Sequence, residues 1–148
     1  MNPPLMNRRR ALLALGALAL ASTASAAAER VSAADAKRVR AVIEAQFAAF
    51  AADDAKRAFA LAAPAIRAQF GSAERFVAMV RASYPVVYRP AAVAFLQAER
   101  VRGEIVQGVQ LTDDAGRGWL AVYHMQRQRD RSWRIGGCEL LESQGRSA

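Results

Sequence analysis

The spacing of apolar residues changes once along this chain, and that change constrains the fold more than any other feature. Before Pro90 the apolar residues recur at intervals of three and four, which is typical of amphipathic helices. After Pro90 they occupy mostly every second position, which is typical of strands. Helices followed by an antiparallel meander predict an α+β domain, with the helices packed on one face of a sheet.

The helical half is predicted to contain four segments, each marked by a residue that can begin or end a helix. Ser32 has the form of an N-cap for the first helix, which we expect to end near Ala52. Asp53 is predicted to cap a second, short helix, and Pro64 suits the first turn of a third. Pro85 is predicted to stop the fourth helix, because proline cannot continue its hydrogen bonding.

The last two strands are predicted to form a hairpin around Arg129–Arg131. A three-residue loop would place Ile135 opposite Met125. It would also place Cys138 opposite Val122. A two-residue loop would reverse which residues pair and face the core, and the sequence leaves both registers open.

The second strand of this hairpin carries two adjacent glycines and the only cysteine of the chain. Gly136 and Gly137 interrupt the strand, which predicts a β-bulge or a close approach of another backbone segment. A bulge would help the sheet to curve. Cys138 is expected to be a small buried apolar residue, while an intermolecular disulfide and a reactive thiol remain alternatives.

Residues 1–26 have the form of an export signal. Arg8–Arg10 precede an uncharged run, and Ala24–Ala26 supplies small residues where a signal peptidase cleaves. The pair Arg9–Arg10 also resembles the twin-arginine pattern, so both export routes stay open. We therefore expect a periplasmic or secreted protein.

Cleavage of that signal would change the charge of the protein. Three arginines would be lost, so the net charge of +8 would fall to +5. No block of like charges indicates a nucleic-acid partner, and the apolar run is too short to predict a transmembrane anchor after cleavage. The expected organisation is a short segment with a helix cap at 27–36, one domain at 37–142 and a flexible tail at 143–148.

Several runs of residues resemble a bacterial family called domain of unknown function 4864, over roughly residues 37 to 141. They are Phe70–Val80, Tyr84–Pro90, Trp119–Tyr123 and Ser132–Cys138. The order of elements is also similar to the nuclear-transport-factor-2-like cone, which ketosteroid isomerases and SnoaL-like cyclases share. The resemblance implies a strongly curved sheet wrapped around helices, with a pocket at the open end. It implies no activity, since fold alone does not determine function.

Catalytic residues of the isomerase type are weakly represented. Such an enzyme needs a carboxylate base and hydrogen-bond donors for an enolate, but the first helix presents Phe47 and Phe50, which cannot donate. The weak candidates that remain are Tyr123, His124 and Glu104. Tyr123 and His124 are neighbours on a strand, so only one of them can face the interior of the cone.

The segment Tyr84–Pro90 is predicted to form the rim of a pocket. Two prolines stiffen it, and its tyrosines and arginine could contact a small ligand. A rigid connector whose tyrosines pack on the helices is the alternative. The predicted ligand-binding residues are Tyr84, Tyr88, Arg89, Trp119 and Tyr123.

These features together predict a non-catalytic module that binds a small, partly apolar ligand in the cone. An enzyme of the SnoaL-like or ketosteroid-isomerase-like type is one alternative. An envelope protein-interaction module, including a homodimer, is another. No cofactor motif is recognised, and a single histidine cannot form a multi-histidine metal site.

Overall fold

The structure is a computed structural model that describes residues 30–143. The predicted signal at 1–26 and the tail beyond residue 143 lie outside the described residues. Within the described range, no helix is long and apolar enough to cross a membrane.

Within residues 30–143, five helices precede the sheet. The side chain of Ser32 caps the first by accepting a hydrogen bond from the amide of Asp35 at 3.0 Å. Pro64 occupies the first turn of the third, as predicted. The helices are α1 (Ala33–Ala51), α2 (Ala55–Ala60), α3 (Pro64–Phe70), α4 (Ala73–Ser83) and α5 (Pro85–Tyr88).

The junction between α1 and α2 corrects one prediction. Asp54, not Asp53, is the N-cap of α2, and its carboxylate accepts from the amide of Arg57 at 3.1 Å. Asp53 has a positive φ of 52°, a conformation that Asp tolerates better than most residues. Its side chain therefore leaves the helix start and is available to distant residues.

The junction after α4 forms a short helical turn, and the ring of Tyr88 packs 5.2 Å from that of Phe50 of α1, measured between centroids. Pro85 does end α4, but it also occupies the first turn of α5, where its missing amide costs nothing. Val86, Val87 and Tyr88 of this single turn are buried. The segment is thus part of the core as well as a link to the sheet.

Five strands form one antiparallel sheet in the order β1-β3-β4-β5, with β2 also paired to β3. The strands are β1 (Ala92–Phe95), β2 (Glu99–Val101), β3 (Glu104–Thr112), β4 (Gly118–Arg127) and β5 (Trp133–Glu142). The predicted α+β class is confirmed, and the arrangement is compatible with a cone-like shape.

The β4–β5 pairing contains the predicted bulge. Met125 pairs with Ile135, and the register then shifts by one residue at Gly136. Cys138 consequently lies opposite Tyr123 rather than Val122. The pairing of Cys138 with Val122, which a three-residue loop predicted, was therefore wrong beyond the bulge. The extra residue places Cys138 on the same face of the sheet as Tyr123.

The core lies between the helices and one face of the sheet, called here the inner face. Side chains at alternate positions of β3 and β4 point to this face, as the period of two requires. Each fully buried aliphatic side chain of this kind contributes about 1.5–3 kcal/mol. Residues with 2% exposure or less include Val39, Ile43, Phe50, Ile105, Val109, Leu111 and Met125.

Candidate functional site

A cavity of about 380 Å³ lies between the helices and the inner face of the sheet. This volume falls at the small end of the range of about 300–1,000 Å³ that is common for ligand pockets. Its walls come from four helices, from the residue between α4 and α5, and from the last two strands. The lining residues are Gln46, Phe50, Ala62, Ile66, Gln69, Phe70, Phe76, Met79, Val80, Tyr84, Val87, Tyr123, Ile135, Gly137 and Cys138.

The helix α3 is held above the sheet by backbone hydrogen bonds to β5. The amide of Ala63 donates to the carbonyl of Ile135 at 2.8 Å, and the amide of Ile135 donates to the carbonyl of Leu61 at 2.9 Å. Ala62 and Ala63 are almost completely buried at this junction, where larger side chains would project into the core. The strand thereby fixes where α3 begins, and the cavity lies between this helix and α4.

Aromatic rings form one wall of the cavity. The ring of Phe76 lies 5.7 Å from that of Phe70 and 6.3 Å from that of Phe50, measured between centroids. Tilted and edge-to-face contacts between aromatic rings contribute more stabilising free energy than the burial of their surface area alone. The wall is therefore apolar, and it suits an apolar ligand surface.

Two buried polar side chains interrupt this apolar lining. Gln46 is 4% exposed, and its Nε2 donates to the carbonyl of Ala58 at 3.2 Å. Tyr123 is 1% exposed, and its hydroxyl has no hydrogen-bond partner among the described residues. Phe47 contacts the Tyr123 ring edge-to-face at 6.2 Å and fixes its orientation.

The hydroxyl of Tyr123 and the thiol of Cys138 are neighbours, although they do not form a regular hydrogen bond. Burial raises the pKa of Tyr123 well above its ordinary value, and the adjacent Cys138 adds to this effect. Burial also raises the pKa of the Cys138 thiol to about 12. Both groups therefore stay protonated at neutral pH, and a reactive thiolate is disfavoured.

The predicted ligand-binding residues divide between two places. Tyr84 and Tyr123 line the cavity. Tyr88, Arg89 and Trp119 instead line an open groove on the other side of α5, with a volume of about 870 Å³. The structure therefore brings two of the five residues together at the cavity and separates the other three from it.

The polar groups of these three residues are already engaged within the protein. Arg89 donates from Nη1 to the carbonyl of Ala51 at 2.7 Å and from Nη2 to Asp53 Oδ1 at 2.9 Å. The hydroxyl of Tyr88 also donates to Asp53, and these contacts fasten the end of α1 to α5. Trp119 donates from Nε1 to Asp113 at 3.0 Å. These residues have structural partners, so the candidate site retains only Tyr84 and Tyr123 from the predicted set.

The weak catalytic candidates lie on opposite faces of the sheet. Tyr123 points to the inner face, whereas His124 and Glu104 are on the outer face and do not line the cavity. His124 Nδ1 lies 4.0 Å from Glu104 Oε2, and its Nε2 lies 3.5 Å from Glu139 Oε1. Tyr123 therefore cannot act together with Glu104 in one cavity.

Over residues 30–143, no three side chains of His, Cys, Asp or Glu lie close enough together to hold a metal ion.

Gln46 is the main site residue that sequence reasoning missed. It falls at a position of the apolar stripe of α1, between Ile43 and Phe50. A polar residue within an apolar stripe is buried together with it, and a buried amide needs a partner or a ligand. That pattern is the available sequence signal for this residue.

Comparison with known proteins gives one family. No curated protein and no solved structure matches the chain. The order of elements is compatible with the nuclear-transport-factor-2-like superfamily. The family model described as Domain of unknown function (DUF4864) matches residues 32–148, which is most of the chain, and the protein therefore belongs to that family.

Proposed function

We propose that this protein is a non-catalytic module that binds a small, partly apolar molecule in the cavity between its helices and its sheet. The observation that supports this proposal is the buried hydroxyl of Tyr123, which has no hydrogen-bond partner among residues 30–143 and belongs to a residue that lines a hollow apolar space. Native proteins seldom leave a buried polar group without a hydrogen bond, and such exceptions need an explanation.

The energetics favour an occupied cavity. An unsatisfied buried polar group costs about 1–3 kcal/mol, which a ligand could recover by forming the missing hydrogen bond. Apolar ligand surface removed from water contributes about 25 cal/mol per Å². The walls around Phe70 and Phe76 offer that contact, so hydrophobic burial and one polar contact would act together.

Binding of N-phenyl-1-naphthylamine tests the proposal, because this neutral probe fluoresces more strongly in apolar surroundings. We expect saturable enhancement with the wild-type protein. Val80→Phe places a ring in the cavity from a side chain that is 5% exposed, and it should weaken binding by at least about tenfold.

Val93→Phe is the matched control, because Val93 is 41% exposed and does not line the cavity. It should bind the probe as the wild type does. Failure of the probe to bind the folded wild-type protein contradicts the proposal, and so does equal binding by Val80→Phe and Val93→Phe.

The outer face of the sheet favours a second candidate function, self-association. Leu96, Val101 and Leu141 are 43%, 45% and 53% exposed, and Leu120 and Val122 beside them on this face are only partly covered. Exposed apolar surface of this kind marks interaction sites, and a two-fold axis through the face would bury the same patch on both copies.

Sedimentation velocity over a range of concentrations tests this second function. We expect a dimer for the wild type and a monomer for Leu141→Glu, because the exposed position tolerates the charge in the monomer but not in an apolar interface. A wild type that stays monomeric at every concentration excludes self-association.

A further inference from the structure

Among the residues that the structure describes, no charged side chain lines the cavity. This is unusual for a chain with 21 basic and 13 acidic residues, several of which lie on the helices that form the walls. An ion transferred into such a space would lose its hydration without gaining a partner of opposite charge, which costs far more than burying a neutral polar group. The cavity therefore selects against charged molecules.

The polar side of the cavity offers donors. The Tyr123 hydroxyl forms no regular hydrogen bond within the described residues, so a ligand that meets it breaks none. Its raised pKa keeps it a donor throughout the neutral range. The thiol of Cys138 beside it is a weaker donor, and it already donates to the carbonyl of Glu139 at 3.8 Å.

We infer that the ligand is uncharged and carries a hydrogen-bond acceptor, of the kind a ketone provides, which accepts from the hydroxyl of Tyr123. This inference rests on the proposed function and specifies the class of ligand that the cavity takes.

Access to the hydroxyl passes Cys138. Less than 1 Å² of the Tyr123 oxygen is exposed, while Cys138, on the paired strand, is partly exposed and lines the cavity. The thiol side chain is small and has a single side-chain torsion, so its displacement admits an acceptor atom at low cost. Removal of the sulfur in Cys138→Ala should therefore preserve or strengthen binding of the acceptor.

Three naphthalenes with equal numbers of non-hydrogen atoms test the inference by displacing N-phenyl-1-naphthylamine at neutral pH. They are 2-acetylnaphthalene, a ketone; 2-isopropylnaphthalene, a hydrocarbon; and 2-naphthoate, a carboxylate. The ketone should bind about tenfold more tightly than the hydrocarbon, as expected for one good hydrogen bond, and the carboxylate should bind most weakly.

Tyr123→Phe should abolish the preference for the ketone over the hydrocarbon while leaving hydrocarbon affinity unchanged. Tyr88→Phe is the matched control, since it makes the same chemical change at a buried ring that does not line the cavity, and it should retain the preference. The readout is a ratio of affinities, so a general loss of stability would not imitate the effect.

Two results would overturn the inference while leaving the proposed function intact. One is equal affinity for ketone and hydrocarbon, or a ketone preference that survives Tyr123→Phe. The other is tight binding of the carboxylate. Failure of the fluorescent probe itself to bind would instead contradict the proposed function, so the two failures can be told apart.

Discussion

Cys138 lies directly across from Tyr123 in the β4–β5 pairing, and both side chains reach the inner face of the sheet. The relationship depends on the bulge at Gly136, because without the extra residue Cys138 would pair with Val122 on the outer face. One residue inserted in a strand thus determines which groups form the polar side of the cavity.

The two glycines at the bulge differ in the space that surrounds them. A Cβ on residue 136 would lie 2.6 Å from Cδ of Gln126, whereas a Cβ on residue 137 would meet its nearest atom, in His124, at 3.9 Å. Gly136→Ala must therefore displace Gln126, whose Nε2 donates to Glu104 at 3.1 Å. We expect Gly136→Ala to destabilise the protein by about 1 kcal/mol, the value of one hydrogen bond.

Gly137→Ala is the control for that substitution. Its effect should be neutral or slightly stabilising, because alanine reduces the entropy of the unfolded chain where the folded backbone accepts it. Urea denaturation followed by circular dichroism measures both variants. Equal losses of stability would show that steric contact with Gln126 is not the determining factor.

The raised pKa of Cys138 predicts slow thiol chemistry. With a pKa of about 12, the thiolate fraction at pH 8 is on the order of 10⁻⁴, far below that of an ordinary cysteine. Reaction of the folded protein with iodoacetamide should be correspondingly slow, and should speed up as pH rises. The protein unfolded in urea should react at the ordinary rate. A fast reaction of the folded state at pH 8 would contradict the predicted protonation.

Local signals predicted much of the helical half. Ser32 and Pro64 act through their own backbone neighbours, so short stretches of sequence suffice to assign them. The exchange of roles between Asp53 and Asp54 was not predictable in this way. It depends on Arg89, more than 30 residues further along, which draws the Asp53 carboxylate away from the helix.

The candidate site was predicted less completely for a related reason. Tyr84 and Tyr123 were identified as aromatic residues with polar groups, but Arg89 was grouped with them only because it is close to Tyr84 in sequence. A helical turn at Pro85 sends these two residues to different sides of α5. The cavity also requires residues from α1 and α3, such as Gln46 and Ile66, which only the tertiary packing brings together.

If the cavity is hollow, enlarging two valines of α4 should change the stability of the protein in opposite directions. Val77 and Val80 are both buried, but only Val80 lines the cavity. An additional methylene at Val80 has space to occupy and should stabilise the protein by up to about 1 kcal/mol. The same change at Val77 should overpack the core and cost about 1–3 kcal/mol.

Thermal unfolding of Val77→Leu and Val80→Leu provides the measurement. Because both substitutions are identical and lie one turn apart on a single helix, helix propensity cancels in the comparison. A loss of stability at Val80 equal to that at Val77 would show that the space is filled.

Asp53 gives the protein a defined dependence on acid. The hydrogen bond from Tyr88 is the main cause that lowers the pKa of Asp53 below 3.8, with Arg89 and Arg81 adding to it. A carboxyl whose pKa is lower in the folded than in the unfolded state stabilises the protein at pH values above the unfolded-state pKa. This stabilisation is lost as the pH falls through the folded-state pKa. The melting temperature should therefore fall below about pH 4.

Asp53→Asn isolates that contribution, since asparagine tolerates the positive φ but does not titrate. The variant should have a lower melting temperature than the wild type at pH 7 and a shallower decline in acid. Asp114→Asn, at an exposed turn position, is the control and should retain the wild-type profile. An unchanged acid profile in Asp53→Asn would contradict the role of this pair.

Two tyrosine hydroxyls should respond in opposite ways to removal. The hydroxyl of Tyr123 is buried and has no hydrogen-bond partner in the part of the chain that the structure describes, so Tyr123→Phe removes an unsatisfied group and should stabilise the ligand-free protein by about 1 kcal/mol. The hydroxyl of Tyr88 donates to Asp53, so Tyr88→Phe should lower the melting temperature. The changes are chemically identical, and both rings are at most 5% exposed, so loss of ring packing cannot explain opposite signs. Calorimetry of the ligand-free proteins measures both melting temperatures. Destabilisation by Tyr123→Phe would show that the Tyr123 hydroxyl already forms a hydrogen bond and is not free to bind a ligand.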